Sequence, residues 1–192
     1  MKIDNRKDIL LLFLYSPGIN KKLNEPIVGR TKLVKSLFLF KEEVLPHFKS
    51  GTSINEENFY KFFAWDFGPF SKEIYDDVTF FILNDFIKVA DSEQEPLPEA
   101  VEEWNKWIDN TGVDLDSSMV TEYQEEEFTL TEKGEIFARN LYDSLSSTQK
   151  KLLNEFKSRI LSTPTRAIIR YVYKRYPELT EKSKIKDKIF EY

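Results

Sequence analysis

Residues 65–89 read WDFGPFSKEIYDDVTFFILNDFIKV, and this stretch decides the fold. Phe67-Gly68-Pro69-Phe70 is a turn signal, because glycine and proline punctuate regular structure. Ser71 stands where a helix N-cap belongs. Ile74, Val78, Phe81 and Ile82 then recur at the spacing of one helix face. Asp85 precedes a short β-like run, Phe86-Ile87-Lys88-Val89. A lone strand needs a partner. Glu127-Phe128-Thr129-Leu130 supplies one forty residues later, just ahead of Thr131-Glu132-Lys133-Gly134, which opens another helix.

Upstream, the aromatic density of Asn58 to Phe67 predicts a strand. Trp65, Phe67 and Phe70 are expected in the core around the turn. Thr31 to Val44 predicts an amphipathic helix. Leu33, Leu37 and Phe40 form its stripe, widened by Val34, Phe38 and Leu45, and Pro46 is expected beyond its end. Ile9, Leu10, Phe13 and Leu14 share one face of a first helix that stops at Ser16-Pro17-Gly18. Downstream, Ser146 and Gln149 match a capping box. Leu152, Leu153, Phe156 and Ile160 follow as a stripe. Thr163-Pro164 caps a further helix carrying Ile168, Tyr171 and Val172, which Tyr176-Pro177 stops. Ser183 to Phe190 is expected as a last short helix.

The resulting order is helix, helix, aromatic strand, helix, strand, insert, strand, helices. A helix followed by a two-stranded antiparallel hairpin is the layout of a winged helix, in which the hairpin covers the open side of a three-helix core. The expectation is therefore a mainly α (α+β) winged helix-turn-helix fold. Residues 1–145 form the winged-helix domain, with an acidic insert at about 91–126 between the wing strands. Residues 146–192 form a helical extension packed on it.

Charge is distributed in blocks. The net charge is −5, but residues 91–127 carry 13 acids against the single base Lys106, while residues 150–192 carry 12 bases against 5 acids. Two readings stay open: the basic end meets nucleic acid or an acidic protein, or it folds against the acidic block of its own chain. The insert carries a helical stripe of its own, Leu97, Val101, Trp104 and Ile108, with Pro98 suited to its first turn. Trp104 and Trp107, three residues apart in acidic surroundings, are candidate partner-binding residues; packing on the parent domain is the alternative.

Composition excludes several kinds of chemistry. There is no cysteine, which rules out disulfides, thiolate catalysis and Cys-ligated zinc, and fits a reducing compartment such as the cytoplasm. His47 is the only histidine, so neither a histidine-based metal site nor a nucleophile elbow is indicated. No glycine-rich phosphate loop is present. The acidic run Glu125-Glu126-Glu127 reads as solvated surface. No apolar run approaches the roughly 20 residues of a membrane span. The expectation is a non-enzymatic protein without cofactor or metal.

The motif Gly29-Arg30-Thr31-Lys32-Leu33-Val34-Lys35-Ser36-Leu37-Phe38, followed by Trp65-Asp66-Phe67-Gly68-Pro69-Phe70-Ser71-Lys72-Glu73-Ile74, resembles the YwgA-type predicted helix-turn-helix proteins. It is similar, more distantly, to the Panacea (SocA-type) antitoxin domain. Phe128 to Gly134 and Tyr171 to Glu178 fit the same pattern. The resemblance implies a prokaryotic DNA-binding transcriptional regulator, or an antitoxin-like or defence-associated binding module. The alternative is an adaptor that neutralises or recruits a partner protein without touching DNA.

DNA contact needs positive groups at phosphates and donors at base edges. The third helix is read as exposing Lys72, Glu73, Asp76, Asp77, Thr79 and Asn84, three acids to one base, which disfavours groove entry. Candidate nucleic-acid contacts are therefore Arg30, Lys32 and Lys35 on the second helix, Lys72, and Arg166, Arg170, Lys174 and Arg175 near the C-terminus. Arg166, Arg170 and Lys174 fall on one helix face beside Tyr173, a pattern that suits a phosphate backbone or an acidic protein surface alike. The partner is thus DNA or an unidentified protein, with no membrane role. The oligomeric state is left open, a homodimer included.

Overall fold

The computed structural model of the chain describes residues 3–102, 105, 123–186 and 188–190. It shows a mainly helical fold with two small open antiparallel sheets. At its centre lies α1 (Arg6–Tyr15), started by a capping box between Asn5 and Asp8 and buried from Asp8 through Tyr15. A helix apolar on every side belongs in the middle of a core. The expected face of Ile9, Leu10, Phe13 and Leu14 is therefore only part of its buried surface, since Leu11, Leu12 and Tyr15 are enclosed as well.

β1 (Ile27–Val28) leads through Gly29 into α2 (Arg30–Leu39). The whole expected stripe of α2 is buried. The helix does not stop before Pro46. It passes through a π-helical turn, Phe40–Val44, in which the Leu45 N–H donates to the Phe40 carbonyl, and continues as α3 (Leu45–Phe48). Proline has no N–H to give, so it is tolerated in the first turn of the segment that restarts after the π turn.

The aromatic strand is shorter than expected. β2 (Phe63–Trp65) pairs with β3 (Gly68–Phe70) as a tight hairpin, with Ala64 opposite Pro69. The Gly-Pro segment is thus the returning strand, and Asp66-Phe67 forms the turn. Gly68 adopts φ +80°, and an added Cβ would lie 2.7 Å from a Tyr173 ring carbon, so both conformation and space call for glycine. Trp65 is half exposed rather than buried, and Phe67 and Phe70 are only partly covered.

Ser71 is the N-cap residue of α4 (Lys72–Leu83), although its side chain makes no capping bond. Ile74, Val78 and Phe81 are buried as expected, whereas Ile82 is exposed. The fourth inward position is Asp77, which the sequence reading placed in solvent. It is buried because Arg6 Nε, at 2.9 Å, and Lys7 Nζ, at 3.1 Å, answer its charge.

β4 (Ile87–Asp91) and β5 (Glu126–Leu130) pair antiparallel, with Ile87 opposite Leu130 and Val89 opposite Phe128. β1 adds to the other edge of β5, giving the order β1-β5-β4. Between β4 and β5, residues 98–102 are helical, beginning at Pro98. Trp104, Trp107 and Ile108 lie outside the described residues.

α5 (Glu132–Asp143) is capped by Thr131, whose hydroxyl accepts the Gly134 N–H at 3.1 Å. α6 (Ser147–Ser162) begins with the expected Ser146–Gln149 capping box, and α7 (Thr165–Arg175) ends before Pro177. Among the described residues of the last expected helix, Lys188–Phe190 form a 3₁₀ turn. The C-terminal helices do more than pack on a finished domain. Phe156 of α6 contacts both Phe13 and Phe40, each at 5.7 Å between ring centroids, so one hydrophobic core runs through the whole fold.

Candidate functional site

Two exposed apolar features stand out, and both flank α4. The first is the outer face of α4 itself. Its inner face is occupied by Ile74, Asp77, Val78 and Phe81, so the apolar residues beside them have nowhere to go but outward. Phe80 and Ile82 are exposed, and Leu83 is 80% exposed. Lys72 and Asp76 share the exposed side, 3.9 Å apart. The sequence does carry a signal for this. Six residues, Val78 to Leu83, are apolar apart from Thr79, and a helix packed on one side cannot bury them all. Just past its end, Ile136 of α5 is also exposed and borders an open cleft with Asp85, Thr131, Glu132 and Lys133.

The second feature is the aromatic hairpin. Phe63, Trp65, Phe70 and Tyr75 form a continuous chain of rings, with centroid separations of 5.5 Å for Phe63–Phe70, 6.1 Å for Trp65–Phe70 and 5.4 Å for Phe70–Tyr75. Trp65 is 51% exposed. Aromatic side chains with one face wet are typical anchors of protein contacts.

The candidate bases are largely engaged within the chain. Arg30 forms a two-pronged pair with Glu126, through Nε to Oε2 and through Nη2 to Oε1 at 2.8 Å, and lies over the rings of Tyr75 and Phe128. The hydrogen bond to Glu126 raises its pKa further. Lys32 is buried, which lowers its pKa. Lys35 is only 3% exposed, and its Nζ donates to the Pro69 carbonyl at 2.8 Å. Arg166 reaches Glu99 at 3.0 Å and the Lys188 carbonyl at 2.9 Å, and Arg170 donates to the Ile189 carbonyl at 2.6 Å. Lys188 pairs with Glu102 at 3.0 Å. The basic end therefore folds, in part, against the start of the acidic block. Lys72, Lys174 and Arg175 remain exposed.

The two partner candidates, Trp104 and Trp107, lie outside the described residues. Among the described residues, no group of three His, Asp or Glu side chains is placed to hold a metal ion. No helix among them is long and apolar enough to cross a membrane. Comparison with protein-family models, with curated proteins and with solved structures gives no match.

Proposed function

We propose that this chain is a non-enzymatic winged-helix binding module whose partner is a protein. The strand order β1-β5-β4, with α4 leading directly into β4, supports the winged-helix reading. In that reading α4 is the recognition helix and the β4–β5 hairpin is the wing. The observation that carries the functional reading is the exposed face of α4. A helix that enters a DNA groove offers donors and positive charge. This one offers Phe80, Ile82 and Leu83, with Thr79 and a single base, Lys72, that is paired with Asp76. Carbonyls and carboxylates of the chain itself hold Arg30, Lys35, Arg166 and Arg170, which reduces the positive charge offered to phosphates. The resemblance to antitoxin-like modules fits a protein that neutralises or recruits another.

A second reading, a DNA-binding regulator, rests on Lys72, Lys174 and Arg175, the exposed members of the candidate set. Affinity capture from the native cell, with wild type and Leu83→Asp compared, tests the first. We expect a discrete protein partner that Leu83→Asp loses while its far-ultraviolet circular dichroism is unchanged. If the lost partner is a second copy of the chain, sedimentation shows a dimer for the wild type alone. Retention of duplex DNA at low salt, steeply lost as salt rises and unaffected by Leu83→Asp, overturns the protein-partner reading in favour of the regulator.

A further inference from the structure

Between α2 and the β2–β3 hairpin lies a cavity of about 150 Å³. A space of this size accommodates a single benzene-sized ring. Its lining combines the rings of Trp65, Phe67, Phe70 and Tyr75 with polar groups. Trp65, Phe70 and Tyr75 pack on one another, with centroids 6.1 and 5.4 Å apart, so they form one wall against which a further ring can lie. Thr31 and Lys35, one turn apart on α2, border the same cavity.

Lys35 is the unusual member. An ammonium carries three donors, and the bond to the Pro69 carbonyl uses one of them. Among the described residues Lys35 forms no ion pair. Arg30, its neighbour on α2, is already committed to Glu126. A buried cation without a counter-charge is unfavourable, so the amine gives up its proton more readily unless an anion completes the pair. Burial accordingly pushes the Lys35 pKa down to about 7. A cavity of one-ring size with an aromatic wall and a lysine that lacks a counter-charge on its border specifies both halves of a ligand.

We propose that this cavity binds a single-ring aromatic carboxylate, the ring packed against the wall of Trp65, Phe70 and Tyr75 and the carboxylate paired with Lys35. The site differs from the outer face of α4, so its ligand and a protein partner can be tested apart. The charged and titratable groups on the surrounding elements are Arg30 and Lys32 on α2, Asp66 on the hairpin turn, Tyr75 on α4 and Tyr173 on α7. Asp66 is paired with Lys184. Burial pushes the Tyr173 hydroxyl up to about 12. Lys35 is the group poised to gain a proton when a carboxylate arrives.

The test is calorimetric titration of the full chain with benzoate and with benzamide, its neutral counterpart. Benzoate should bind at least about tenfold more tightly, a difference of one ion-paired contact. Lys35→Met, which keeps the length of the stem, should erase that preference and leave benzamide unchanged. Should Lys35→Met fail to fold, the wild type alone decides. At about pH 8, benzoate binding should draw close to one proton from solution, read by comparing buffers of different ionisation enthalpy. Equal affinity for the two probes, no saturable binding up to roughly 10 mM, or benzoate binding without proton uptake each overturns the proposal.

Discussion

Lys35 and Lys157 are both lysines taken out of water, and each donates to a backbone carbonyl on a different element: Pro69 for Lys35, Leu14 for Lys157. Their surroundings differ. Lys157 is fully enclosed in the core between α6 and the end of α1. There it meets one of the carbonyls that every helix C-terminus leaves without an intrahelical partner, and the C-terminal end of a helix also favours positive charge. Lys35 borders an aromatic cavity instead. The first lysine completes the backbone of another helix, whereas the second has room beside it. What a buried cation does is decided by what faces its remaining donors, and residue type alone does not reveal it.

The widest separation between the two should come from truncation. Lys157→Ala leaves a cavity and an unanswered carbonyl, and should cost about 2–4 kcal/mol in urea unfolding. Lys35→Ala enlarges a space that already exists and should cost less than about 1.5 kcal/mol. Equal losses would make Lys35 a second structural strut.

The pH dependence is the next largest effect. Burial lowers both pKa values to about 7, against 10.5 for an ordinary lysine. Between those values the unfolded chain holds more protons than the folded one, so stability rises with pH from about 7 toward about 10. Each lysine contributes a slope on the order of 1 kcal/mol per pH unit. Below pH 7 both amines are charged in both states, and these two groups contribute no slope. Thermal or urea melts of Lys35→Met and Lys157→Met should each lose on the order of 1 kcal/mol per pH unit from the wild-type slope; an unchanged slope in either variant would show that its amine is solvated.

Gly68→Ala probes the hairpin that forms one wall of the Lys35 cavity. Its positive φ and the Tyr173 ring both oppose a Cβ, so a loss of about 1–3 kcal/mol is expected in urea unfolding. The smallest effect belongs to the surface. Leu83→Asp, remote in chemistry from both lysines, should change stability by no more than about 0.5 kcal/mol, which is what makes it a clean probe of partner binding.

Much of the scaffold is legible in the sequence because it is local. The Ser146–Gln149 capping box, the Thr131 cap, the stop at Pro177 and the pairing of Phe86–Val89 with Phe128–Leu130 need only short-range patterns and one antiparallel match. β1 escapes because two residues, Ile27 and Val28, cannot display a period of two. Asp77 is misplaced in solvent because its partners, Arg6 and Lys7, lie some seventy residues away in the chain. Trp65 is expected in the core because aromatic density and burial usually coincide, yet the hairpin leaves it half exposed. The candidate site is less legible still. Arg30, Lys35, Arg166 and Arg170 look like a phosphate-facing set by charge alone, and only tertiary structure shows Arg30 and Arg166 paired with Glu126 and Glu99, and Lys35 and Arg170 turned to backbone carbonyls. Leu83 and Phe80 drew no attention in the sequence, although the apolar run that holds them exceeds what one helix face can bury.

The register of the long hairpin has a consequence for how this chain can change. Asp91 and Glu126 are direct cross-strand partners, and the Ser92 N–H still reaches the Glu125 carbonyl at 2.8 Å. The chain thus leaves β4 and re-enters β5 at adjoining points, and residues 92–125 can lengthen or shorten without moving either strand. Glu99 and Glu102, near the start of that span, are the carboxylates that meet Arg166 and Lys188. A lineage that trims the span therefore also uncovers positive charge on α7 and the segment after it. Insert length and the electrostatic character of the C-terminal face are thereby coupled, and a deletion that removes Glu99 and Glu102 leaves a more cationic surface on the same fold.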